Sequence, residues 1–105
     1  SGVKLVEPQE GVKSNHAYMP VLFDERSFGA TRDEVFSELE KNGIGARKYF
    51  YPLIPDFACY RSVYSSGRVP VAKWVSDRIL TLPMYADLDI EDVDRICTIV
   101  KSLGK

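Results

Sequence analysis

The chain has 105 residues, 45% hydrophobic and 28% charged, the make-up of one globular domain rather than of a disordered segment. Fourteen Lys and Arg against fifteen Asp and Glu leave a net charge of −1, without the basic excess of a dedicated nucleic-acid binder. No apolar run approaches the roughly 18–20 residues of a membrane span, and two cysteines cannot build a disulfide framework.

Cys59 and Cys97 match no metal-ligand spacing and read as buried thiols of a reducing, cytoplasmic compartment. Ser1-Gly2, with no initiating Met, reads as the scar of a protease cut on an excised piece. Lys4, Glu7 and Glu10 interrupt any signal-peptide core. Residues 1–14, with Pro8 and Gly11 and no period of 2 or 3.6, read as an irregular lead-in to a single domain over 15–105.

Ala17 to Phe23 is apolar and rich in strand formers, and Pro20, lacking an amide donor, places that strand at an edge or a bulge. Thr31 and Glu34 have capping-box spacing, Val35, Phe36 and Leu39 share a helical face, and Asn42-Gly43 supplies the stop. Ile44 to Tyr51 reads as a second strand. Pro52 and Pro55 then bar a helix interior, Asp56 suits a short helix start, and Ser65-Ser66-Gly67 is a turn. Pro70 suits a first helical position, with Val71, Trp74, Val75 and Arg78 on one face. Ile79 to Leu82 is a third strand stopped by Pro83. Asp89 caps a last helix whose Ile90, Val93, Ile96, Cys97, Val100 and Leu103 keep helical spacing. The expected fold is α+β, a small, mainly antiparallel sheet of about three strands with helices on one face.

A reaction site needs convergent acids, bases, nucleophiles or metal ligands. His16, the one histidine, has no motif partner and reads as structural or surface. Asp87, Asp89, Glu91, Asp92 and Asp94 lack the central glycine and terminal glutamate of a calcium loop, and suit the positive end of a helix instead. Gly43 and Gly45 form no phosphate loop, and Arg47-Lys48-Tyr49-Phe50-Tyr51-Pro52 lacks the glycines of an RNA-recognition strand. Six of the twelve aromatic residues fall within residues 49–64, beside Arg47 and Arg61. Such a loop can wall a flat, anionic ligand or simply complete a small core. No catalytic or metal-ligating residue is assigned.

The ordered set Ala17-Tyr18, Asn42-Gly43-Ile44, Ala46 to Leu53, Pro70-Val71-Ala72 and Leu80 to Tyr85, closing on an acid-capped helix, carries a resemblance. It is similar to the C-terminal small domain of the DegT/DnrJ-type sugar aminotransferases, which have the aspartate-aminotransferase fold. The resemblance implies a parent enzyme that uses pyridoxal 5′-phosphate (PLP) to move an amino group, usually from glutamate, to a nucleotide-linked keto sugar. It implies an N-terminal large domain holding the Schiff-base lysine and all cofactor-binding residues, a homodimer, and no cofactor or activity in this chain alone. Neither Lys48 nor Lys73 stands where a Schiff-base lysine is expected. Arg47, Tyr49 and Tyr51 are the implied substrate-binding residues, the tyrosines offering hydroxyls to the sugar and Arg47 a positive field to the diphosphate. Many relatives carry a histidine shortly after the Tyr-Pro pair, where this chain has Leu53-Ile54-Pro55-Asp56. The alternative from another class is a stand-alone small-molecule regulatory module with a βαβ core, a closed polar surface and a complete pocket.

Overall fold

The computed structural model describes residues 1–105. It contains strand β1 (Val3–Leu5), strand β2 (Met19–Phe23), helix α1 (Glu25–Phe28), helix α2 (Arg32–Lys41), helix α3 (Pro70–Ser76), strand β3 (Ile79–Leu82) and helix α4 (Ile90–Leu103). Short 3-10 turns at Ile54–Asp56 and Ser66–Arg68 lie between α2 and α3. The three strands form one antiparallel sheet in the order β1-β2-β3. The α+β class is as expected, but the helices are not confined to one face of the sheet: α2 and α4 pack on one, and α3 flanks the other.

Several finer expectations give way. The lead-in begins with a strand, since Val3 to Leu5 pair with Phe23 to Val21 and put β2 in the centre of the sheet. Pro20 nevertheless fits a central strand. Its partner Thr81 turns both backbone groups to Arg47, so the Pro20 nitrogen faces the other side, where β1 has already ended opposite Val21. Ile44 to Tyr51 is not a strand: it makes a single bridge, Arg47 to Thr81, and then turns away. The βαβ core of the alternative reading is therefore not formed. The thiols of Cys59 and Cys97 are exposed, not buried. Cys97 sits directly after buried Ile96, one helical step off the stripe that meets the sheet.

Strand alternation gives the sheet two unlike faces. Val21, Phe23 and Leu80 point to one face and meet Val35 and Leu39 of α2, Ile96 of α4, and Phe28 and Ala30. The Phe23 and Phe28 rings pack 5.4 Å apart. Asn42 ends α2, Gly43 follows with φ 75°, and Arg95 of α4 donates to the Asn42 carbonyl at 2.7 Å. Pro20 and Thr81 lie on the opposite face, which α2 and α4 leave uncovered. No helix is long and apolar enough to cross a membrane.

Candidate functional site

The uncovered face carries the candidate site. Pro20 and Thr81 floor an open groove of about 770 Å³. Helix α3 forms one wall through Val71, Val75 and Ser76, and Tyr49, Phe50 and Leu53 form the other. Phe50 and Val71 project from opposite walls and are 78% and 75% exposed. An apolar concavity this open is a surface made to be covered.

Arg47 and Tyr49 come together beside the groove, which Tyr49 lines. Two backbone hydrogen bonds anchor Arg47 to Thr81: its amide donates to the Thr81 carbonyl at 3.0 Å, and its carbonyl accepts from the Thr81 amide at 2.8 Å. The Arg47 Nη1 donates to the Tyr49 Oη at 2.7 Å, and the Tyr49 ring meets Tyr18 edge-on at 5.4 Å. That hydrogen bond, with charge interactions toward Tyr49 and Tyr18, raises the Arg47 guanidinium above even its ordinary value. It is a permanent, solvent-facing cation. Because Tyr49 accepts from Arg47, its own O–H stays available to a ligand. Tyr18, Arg47 and Tyr49 also line a smaller cleft of about 220 Å³ with Thr81 and Met84.

Tyr51 lies apart from this pair. Its ring is stacked by the Arg32 guanidinium, 4.7 Å from the ring centroid, and half of the side chain faces solvent. Peptide bonds 49–50 and 51–52 are cis. Sequence reasoning did not single out Tyr18 or Arg32. Tyr18 could have been found by extending the β2 alternation one step, which puts it on the Pro20 face. Arg32 carries no comparable signal, because an arginine beside a cap reads as a solvated helix start.

The two least exposed lysines are paired. Lys48 contacts Asp33 at 2.7 Å and lies 4.5 Å from the Phe36 ring centroid. Burial pushes the Asp33 carboxyl up, but the Lys48 hydrogen bond and the Arg32 and Lys48 charges outweigh it and hold the group below its ordinary value. Lys73 donates to Asp77 at 2.9 Å and lies 3.8 Å from Asp56. The Asp77 hydrogen bond outweighs desolvation and raises the Lys73 ammonium above its ordinary value. Both amines are paired with carboxylates. His16 is exposed at φ 51° ahead of β2, and of the acidic run Asp89 stands at the α4 N-cap with Glu91 and Asp92 in the first turn.

Comparison with known proteins fits this geometry. The chain is 39% identical over 106 aligned residues to the dTDP-4-amino-4,6-dideoxy-D-glucose transaminase of Escherichia coli, covering 99% of this chain and 28% of that protein. The Shigella dysenteriae transaminase of the same name is 36% identical over 103 residues, covering 98% and 28%. The crystal structure of DesI in the presence of its TDP-sugar product superposes with a TM-score of 0.87 at 27% identity, over 96% of this chain and 26% of that one. The chain thus spans about 28% of the length of the curated relatives it matches. The profile of the DegT/DnrJ/EryC1/StrS aminotransferase family matches residues 2–101, and the chain belongs to that family.

Proposed function

We propose that this chain is the C-terminal small domain of a cytoplasmic, homodimeric, PLP-dependent aminotransferase. The parent transfers an amino group from an amino acid, glutamate as the first choice, to a nucleotide-linked keto sugar. The domain includes β1 near the start of the chain as well as residues 15–105, and it roofs the reaction chamber without activity of its own. The observation that carries this reading is the 39% identity to a dTDP-sugar transaminase over 99% of the chain. The open apolar groove supports it, as a surface for the large domain to cover.

PLP, when bound, supplies the electron sink for moving the amino group. These residues do not fit the cofactor by themselves. A Schiff-base site needs a lysine whose amine is open to the cofactor, whereas Lys48 and Lys73 are each engaged by a carboxylate. In the proposed parent, residues beyond this chain hold PLP. What this chain supplies is recognition. Arg47 places a fixed positive charge toward the diphosphate, and Tyr49 keeps its O–H free to donate to a sugar oxygen. Tyr51, half exposed, is the third side chain proposed to meet the sugar.

The test is amino-sugar formation by the full-length protein from glutamate and the keto sugar corresponding to dTDP-4-amino-4,6-dideoxy-D-glucose. Turnover, with a PLP absorbance band that the 105-residue chain alone lacks, is expected. A full-length protein without PLP, or imine formation and turnover by the 105 residues alone, overturns the reading.

A further inference from the structure

Arg32 is a charged side chain where charge is costly to bury. It opens α2 and is 2% exposed. Its Nη1 donates to the carbonyls of Ser76, at 3.0 Å, and Ile79, at 3.2 Å, the two ends of the turn from α3 to β3. Its Nε faces Asp33 Oδ1 at 2.7 Å, and the same oxygen takes the ammonium of Lys48 at 2.7 Å. The Tyr51 ring lies against the guanidinium.

One buried group thereby touches three pieces of chain that share no regular hydrogen bonding: the start of α2, the α3–β3 turn and the segment carrying Lys48 and Tyr51. That segment is the one expected to be a strand. Its ladder is a single bridge at Arg47, so nothing in the sheet fixes Tyr49 or the residues after it. The bridge holds one end of the arm, and Arg32 holds the other through Tyr51. Between the two holds stand Lys48, Tyr49 and Phe50, of which Tyr49 and Phe50 line the groove with α3, whose C-terminal carbonyl Arg32 also grips.

We propose that Arg32 is a positioning residue for the ligand-facing arm: its guanidinium fixes Arg47–Tyr51 against α3 and so sets the geometry in which the nucleotide sugar is held. This rests on the sugar-nucleotide reading above for its ligand, though not for its geometry. The chemistry requires arginine. A planar fork can donate to two carbonyls from its edge while presenting its flat face to an aromatic ring; an ammonium cannot do both.

The experiment uses the full-length, PLP-loaded protein and the variants Arg32→Lys, Tyr51→Leu and Tyr51→Phe. In Arg32→Lys, KM for the nucleotide sugar is expected to rise about tenfold. The half-reaction with glutamate alone and the cofactor absorbance are expected to stay within about twofold of the parent. Amide hydrogen exchange is expected to speed up over residues 49–53 and not in α2 or α4. Tyr51→Leu reproduces both effects, Tyr51→Phe keeps the parent exchange pattern because the ring against Arg32 is kept, and the double variant Arg32→Lys/Tyr51→Leu is no worse than either single one. Should Arg32→Lys fail to fold, Tyr51→Leu, a change at a half-exposed side chain, carries the same readouts. Unchanged KM and exchange, or a lower melting temperature with an unchanged KM, overturns the proposal. A parent protein that aminates no nucleotide sugar refutes the functional reading, and the exchange pattern alone then decides whether Arg32 holds the arm.

Discussion

Tyr49 is the residue on which the two halves of the site meet. It accepts from Arg47, stands edge-on to Tyr18 and stacks on Phe50, so it links a cation, the end of β2 and the groove wall. Tyr49→Phe keeps the ring packing and removes only the oxygen. A hydrogen bond of this kind is worth about 0.5–1.5 kcal/mol, a factor of roughly 2–10. In the full-length enzyme, KM for the nucleotide sugar should rise within that range while the glutamate half-reaction is unchanged; an equal fall in both would show that the hydroxyl serves the fold instead. Leu39 is a contrasting case. It is fully buried between α2 and the sheet and touches no part of the groove. Leu39→Ala should lower stability by about 2–5 kcal/mol in urea denaturation and leave KM of the folded protein alone.

Helix α2 shows how far local sequence reaches. The Glu34 amide donates to the Thr31 hydroxyl at 3.2 Å, and the Glu34 carboxylate accepts from the Thr31 amide at 2.7 Å. Thr31→Ala should therefore cost about 1 kcal/mol in denaturant titration. The Thr31 backbone amide, and then its hydroxyl, hold the Glu34 carboxyl below its ordinary value of 4.5. A carboxyl with a depressed folded pKa contributes stability that is complete above its unfolded pKa and is lost as pH falls through the folded value. Glutamine at position 34 can reach back but does not titrate. The stability gap between the parent and Glu34→Gln should thus be open at neutral pH and narrow as the pH falls below 4.5 and through the folded value; a gap that does not narrow in acid would sink the assignment. This element was legible because every part of its signal lies within a dozen residues: cap, apolar face and stop. Strand β3 and the Pro70 start of α3 were legible for the same reason. Ile44 to Tyr51 was not. Its composition suits a strand, but a strand exists only where a neighbour pairs with it, and Thr81 is the one residue that does. Val3 to Leu5 failed in the opposite direction, since three exposed residues carry no alternation and become a strand only through β2. In the site, the aromatic run was visible from composition. The division of labour within it, Tyr49 toward the groove and Tyr51 toward Arg32, depends on side chains far apart in sequence.

At the scale of the whole molecule, apolar surface outruns the core. The Cα radius of gyration is 15.3 Å, against about 13 Å for a compact domain of this length. Only eight hydrophobic residues make up the buried cluster, while Phe50, Ile54, Val63 and Val71 stand largely in solvent. Burying a valine side chain stabilises by roughly 1.5–3 kcal/mol, so an exposed ledge of this kind is a reservoir of docking energy that the 105 residues do not use. If the large domain covers the groove, Val71→Asp has two different costs. In the chain alone position 71 stays in water, and the substitution should shift stability by no more than about 0.5 kcal/mol. In the full-length protein it places a carboxylate in an apolar interface, which costs well over 1 kcal/mol if the charge finds no partner. The expected outcome is an unchanged urea midpoint for the 105-residue chain, beside faster proteolysis at the domain junction and a lower melting temperature for the full-length protein. The chain alone should also bind an apolar dye that the intact protein excludes, and Val71→Asp should weaken that binding. Equal effects of the substitution on both proteins would mean that the groove stays open in the intact enzyme, and the roofing role would fall.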